Sequence, residues 1–184
     1  MLEIRLHGRG GQGAVTSAEL LAQAAIAQGK FAQAFPSFGP ERRGAPVAAF
    51  VRVSDEPIKT REKIYDPDVV VVLDASVLEF VNVAAGLKPQ GVLIINAPVC
   101  EETCRADYGF SGRLAFVDAD KIAHEVLGVP ITNTTMLGAV LKATGVLAPE
   151  MMEEALNNRF GRIAAKNYQA LTTAFETTHI QERA

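Results

Sequence analysis

The sequence predicts an α/β protein of Rossmann-like type: a mostly parallel sheet with helices on both faces and a helical C-terminal third. Three observations carry this reading. A short strand-like segment runs directly into a glycine-rich turn and then into a helical pattern. Apolar runs such as Val69-Val70-Val71-Val72-Leu73 are too continuous for a half-exposed strand and suit strands covered on both sides. Strand-like and helix-like segments then alternate over much of the chain. At 184 residues the length corresponds to one domain spanning the whole chain.

Residues 3–7 read as the first strand, followed by Gly8-Arg9-Gly10-Gly11-Gln12-Gly13. Residues 14–28 read as a helix, because Val15, Ala18, Ala22, Ala25 and Ile26 recur at helical spacing and Gly29 offers a left-handed stop. Further strands are expected over 47–53, 68–74, 91–96 and 114–117, with helices over 76–85 and 119–127 between them. Helices over 133–143, 149–158 and 162–177 complete the chain, with Pro149 suited to a first turn and Gly145 to a stop. Residues 35–46 carry three prolines and two glycines, which exclude a continuous helix or central strand and leave a structured loop. Residues 55–67 read as a surface connection, a hairpin or an edge strand, and 178–184 as a frayed tail.

Composition narrows the function classes. Hydrophobic residues at 48% with 21% charged exclude disorder, and no apolar stretch approaches the roughly 20 residues that cross a bilayer. A net charge of -3 gives no general attraction to nucleic acid or anionic lipid, so an anion site must be local. The N-terminal residues lack the basic-then-apolar order of a signal peptide, so the chain reads as cytoplasmic. Cys100 and Cys104 cannot by themselves supply the ligands of an iron–sulfur cluster or a structural zinc, and no metal site is expected.

The glycine segment satisfies G-x-G-x-x-G between a strand and a helix, the context in which glycines bring backbone amides and a helix N-terminus against a phosphate. A tight turn without ligand accounts for the same residues. The dinucleotide version needs an acidic residue about 20 positions on, and none occurs before Glu41. Arg42 and Arg43, beside Phe35, Ser37 and Phe38, suit an anionic ligand or an acidic partner, or equally a solvated surface. Asn133, Thr134 and Thr135 suit either a plain helix cap or a polar rim facing the glycine loop. His7, His124 and His179 are widely separated and form no nucleophile–base pattern.

Three segments together, Gly8 to Val15, Phe35 to Pro46 and Asn133 to Ala139, resemble the gamma subunit of 2-oxoacid:acceptor oxidoreductases, the pyruvate:ferredoxin type being nearest. The resemblance covers nearly the whole chain. It implies a non-catalytic subunit of an enzyme that oxidatively decarboxylates a 2-oxoacid to an acyl-coenzyme A. Thiamine diphosphate, magnesium and iron–sulfur clusters are then held by alpha, beta and delta-type partners, and electrons leave to ferredoxin or another acceptor. It implies coenzyme A binding at Gly10, Gly11, Gln12 and Gly13, with Arg9 and Arg43 pairing charge and Asn133 and Thr134 making polar contacts. Ser37 and Pro40 stand where many pyruvate-type members carry bulkier residues, leaving 2-oxoisovalerate, 2-oxoglutarate or an aromatic 2-oxoacid open as substrate. A Rossmann-type dehydrogenase and a ligand-free assembly subunit are the competing readings.

Overall fold

In a computed structural model, residues 1–37, 44–98, 110 and 112–182 are described. Strands β1 (Leu2–Arg9), β2 (Phe31–Pro36), β3 (Pro46–Ser54), β4 (Val69–Val72), β5 (Val92–Asn96), β6 (Arg113–Val117) and β7 (His179–Gln181) form one sheet in the order β2-β3-β1-β4-β5-β6-β7. β1, β4, β5 and β6 are mutually parallel, β3 and β7 run against them, and β2, antiparallel to β3, rejoins the common direction. The expected mostly parallel α/β class is what these strands build.

Helices α1 (Ala14–Ala27), α2 (Ala119–Ile122, continued by a π turn to Leu127), α3 (Asn133–Thr144), α4 (Glu153–Phe160) and α5 (Ala164–Thr177) follow the expected segments closely. On one sheet face Ile4, Leu6, Val51, Val69, Val71, Val92 and Ile94 share a core with α1, α3 and α5. On the other, Val70, Val72, Leu93, Ile95, Leu114 and Phe116 share a smaller cluster with Val77, Val83 and Leu87, and Leu78, Val81, Ala97 and Phe110 pack against it. Val77, Val83 and Leu87 come from a single 3₁₀ turn (Ala75–Glu79) and the loop after it.

Here the structure corrects the helix expected over 76–85. Asp74 accepts from the Ser76 amide and starts the 3₁₀ turn. The turn ends at Glu79, and the loop after it is pinned by the Arg5 side chain, which donates to the carbonyls of Val83 and Ala85. Two strands were not expected. Phe35 and Pro36, assigned to a loop, end β2, whose Ala32 and Ala34 turn toward the helical core. The start of the tail is not frayed: Thr178 is buried and residues 179–181 pair with β6, while residues 183–184 lie outside the described residues. Residues 55–67 form a surface connection, not a hairpin or strand, although Ile64 is buried beneath it. Among the described residues no helix is long and apolar enough to cross a membrane.

Candidate functional site

β1 is the point at which the chain changes direction across the sheet. It leads through α1 to β2 on one side, while β4, its parallel neighbour, lies on the other. In open α/β sheets the crevice beyond the carboxyl ends of such strands is the usual place for a ligand. There the glycine loop after β1 meets Asp74 and Ser76, which follow β4.

The loop is shaped by its own backbone. Gly11 and Gly13 have φ of 96° and 84°, a region that favours glycine, and Gly13 is the N-cap of α1. A Cβ on Gly13 would lie 2.7 Å from Nδ2 of Asn133, so the N-termini of α1 and α3 meet here without room for a side chain. Ser17 fastens the contact by donating to the Asn133 carbonyl at 3.1 Å. The Gly10 amide donates to the Ala45 carbonyl (2.9 Å), and that of Gln12 to the Arg9 carbonyl (3.0 Å). Of the four amides expected to face a phosphate, two are therefore already engaged. Those of Gly11 and Gly13 have no partner among the described residues, and no side chain caps α1. Its first turn carries no acidic residue, leaving the N-terminal partial charge uncompensated.

Arg9 is less available than its sequence position implies. Its Nε donates to the Ser76 hydroxyl at 2.8 Å and lies 3.6 Å from Asp74. Nη1 reaches the Gly44 carbonyl, and the guanidinium sits 5.5 Å from the Phe80 ring centre. The Gln12 side chain bridges the same group, donating to Asp74 at 2.6 Å and accepting from the Arg9 amide at 2.6 Å. Burial raises the cost of charge on Asp74. The hydrogen bonds from Ser76 and Gln12, with the Arg9 charge, outweigh it and hold the carboxyl below its ordinary range. From sequence, Asp74 and Ser76 are placed only at element ends, with no role at the site. The signal was there: an acidic residue ends an otherwise apolar strand at the carboxyl edge of the sheet.

Asn133 does border the glycine loop, as the polar-rim reading requires. Thr134 does not: it is fully buried and its hydroxyl donates to Asn167 of α5 at 2.8 Å, so it serves the α3–α5 contact. Arg43, with Phe38 and Arg42, lies outside the described residues, as do Cys100 and Cys104. His7 is buried beside Arg5, with Nε2 unpartnered. Burial, then the Arg5 charge, depress its pKa to about 4, so it is neutral near pH 7. Among the described residues no three His, Cys, Asp or Glu side chains gather to hold a metal ion.

This loop and sheet sit inside a stretch, residues 3–177, that matches the sequence profile described as pyruvate ferredoxin/flavodoxin oxidoreductase. The chain belongs to that family. It is 54% identical to the pyruvate/ketoisovalerate oxidoreductases common subunit gamma of Thermococcus litoralis, over 99% of this chain and 100% of that one. It is 49% identical to pyruvate synthase subunit PorC of Methanocaldococcus jannaschii, over 95% and 96%. The crystal structure of pyruvate oxidoreductase subunit PORC of Thermotoga maritima superposes with a TM-score of 0.88 at 38% identity, covering 98% of both chains. The chain is thus a gamma-type subunit of a multisubunit oxidoreductase, which sets aside the free-standing dehydrogenase.

Proposed function

We propose that this gamma subunit serves an enzyme that oxidatively decarboxylates pyruvate or a branched 2-oxoacid, and that its own task is to hold coenzyme A. The relatives named for pyruvate and ketoisovalerate support the substrate class. The observation that carries the ligand is the start of α1. It has no side-chain cap and no acidic residue in its first turn, it is preceded by two positive-φ glycines, and a Cβ on Gly11 would meet nothing within 4 Å among the described residues. An open helix N-terminus of this kind accepts phosphate oxygens on backbone amides. Coenzyme A would supply the thiol that receives the acyl group. The chain's residues bind and orient: Gly11, Gly13 and the first turn of α1 hold phosphate, Asn133 walls one side, and the Arg9–Asp74–Gln12 network fixes the loop.

Gly10 and Gln12 support the loop's shape in this reading, Arg9 anchors it, and Arg43 remains a candidate cation for the ligand. With two cysteines in the chain, the iron–sulfur clusters, thiamine diphosphate and magnesium belong to alpha, beta and delta-type subunits in the cytoplasm, passing electrons to ferredoxin. A second reading, a ligand-free assembly subunit, is favoured by the internal engagement of Gly10, Gln12 and Arg9.

One experiment separates them. In the assembled enzyme, Gly11→Asp places a carboxylate against incoming phosphate, and Gly11→Asn is its uncharged control at the same strained position. Gly11→Asp is expected to raise the KM for coenzyme A roughly tenfold, the effect of about 1.4 kcal/mol, with the Asn variant well below that. Cluster reduction by 2-oxoacid in the absence of coenzyme A should be unchanged in both. An assembled Asp variant with parental coenzyme A dependence leaves the loop as a structural turn.

A further inference from the structure

The α2–α3 connection and the α4–α5 corner enclose an apolar groove on the surface, with a cavity of about 140 Å³. Its walls are Leu127, Val129 and Ile131 on one side and Phe160 and Ile163 on the other. Val129, Ile131 and Ile163 are 43%, 50% and 55% exposed, well above what core aliphatics show. A neighbouring trio of bulky aliphatics left this open marks a surface meant to be covered. A cavity of roughly this volume, lined by similar residues, takes one benzene-sized apolar group.

The polar groups around the groove define what covers it. Asn167 forms part of the floor, but its amide is already satisfied, accepting from Thr134 and donating to the Ile163 carbonyl. The floor therefore asks for shape and apolar area, not hydrogen bonds. Lys166 lines the groove, and Arg159 and Arg162 are the chain neighbours of its wall residues Phe160 and Ile163. Segments 123–131 and 159–167 contain Arg159, Arg162 and Lys166 against a single acidic residue, Glu125. All four are exposed, and none of the three cations has an ion pair among the described residues. Glu153 of α4 faces elsewhere, lining a separate cleft with Tyr168, whose hydroxyl pKa is raised by burial and then by Glu153 and Glu150.

A second copy of this chain docking through the same patch would set these cations against their own copies, which charge disfavours. We propose that the groove receives a segment of another subunit of the same oxidoreductase, placing one apolar side chain between Ile131 and Ile163 and carboxylates against Arg159, Arg162 and Lys166. An apolar anchor in a pocket within a charged rim is the arrangement from which interfaces draw most of their affinity and their salt dependence. This rests on the chain's membership of a multisubunit enzyme and stands or falls independently of the phosphate reading at Gly11.

The test uses the complete enzyme, produced with all its subunits and with this chain tagged. Ile131→Glu/Ile163→Glu is expected to cost at least tenfold in subunit retention. Arg162→Glu/Lys166→Glu is expected to cost several-fold and to flatten the dependence of dissociation on salt. Thermal unfolding of each free variant chain checks that these exposed positions leave the fold intact. Both variants recovering their partners at parental stoichiometry and salt dependence would overturn the proposal. A photo-crosslinking residue at Ile131 in the otherwise parental enzyme decides the matter if a variant misfolds. Crosslinks to an acidic segment of another subunit support docking, whereas crosslinks to a second copy, or none, overturn it.

Discussion

The two faces of the sheet are held by different physics, and β1 shows both at once. Leu2, Ile4 and Leu6 point into the helical core, where α1, α3 and α5 bury apolar area against the sheet. Glu3, Arg5, His7 and Arg9 alternate onto the opposite side, where a 3₁₀ turn and loops, rather than an α-helix, pack among the described residues. Three of these four are tied by charged hydrogen bonds: Glu3 to Arg52 at 2.8 Å, Arg5 to the carbonyls of Tyr65, Val83 and Ala85, and Arg9 to Ser76. The apolar face tolerates exchange among residues of similar volume. The charged face depends on particular atoms: Arg9 holds the loops around the candidate site, whereas Glu3 and Arg5 fasten the amino-end side of the sheet, where Tyr65, Val83 and Ala85 precede β4 and β5.

The sharpest break of the apolar face is Gly138. A glycine in mid-helix ordinarily gains stability on mutation to alanine. In α3, however, a Cβ at this position would lie 2.0 Å from the Leu171 carbonyl oxygen and 2.9 Å from the Phe175 amide nitrogen. Gly138→Ala should therefore destabilise by roughly 3 kcal/mol, read as a lower denaturant midpoint at constant slope. A stabilised variant would show that α3 and α5 pack less closely than the structure has them.

The charged face should respond less in stability and more in local order. Arg5→Met keeps the apolar stem and removes the donors, with an expected cost of about 2 kcal/mol. Hydrogen exchange should accelerate first at Leu87 and Lys88, whose amides bond to Ala84 and Pro67 in the segments Arg5 clamps. Uniform acceleration across the helical core would contradict the division between faces.

The smallest effect is set by pH. His7 is neutral in the folded chain, with its pKa at about 4 against an ordinary 6.5. Its contribution is fully present above about pH 6.5 and is lost as pH falls toward 4, because the unfolded chain binds the proton first. Between pH 7 and 5.5 the loss should be about 1 kcal/mol, and His7→Gln should flatten that part of the stability curve.

What the sequence made legible follows the same division. α1, α3 and α5 were readable because apolar residues repeat at helical spacing, and β4 because Val69 to Val72 is buried on both sides. The segment after β4 reads as a helix in sequence, but beyond the 3₁₀ turn it is a loop whose carbonyls bond to Arg5, a partner far away in sequence that local periodicity does not reveal. β2 went unread because its inward residues are alanines, sized for contact with α1 and carrying little strand preference. At the site, the glycines were readable as a local pattern. Asp74, Ser76 and Ala45 join them only through strand order, which periodicity does not encode.

The short seventh strand has a bearing on how this subunit meets others. Leu114, Ala115 and Phe116 of β6 are fully buried, and without His179–Gln181 alongside they would offer an unpaired apolar edge. Such an edge templates pairing with strands of any other molecule, the route to aggregates and exchanged segments. Three residues beginning at an exposed histidine close it with a strand too short to act as a template itself. Growth of the sheet into a neighbouring molecule is thereby blocked at that end, and association there is left to side-chain surfaces, where partners can be told apart.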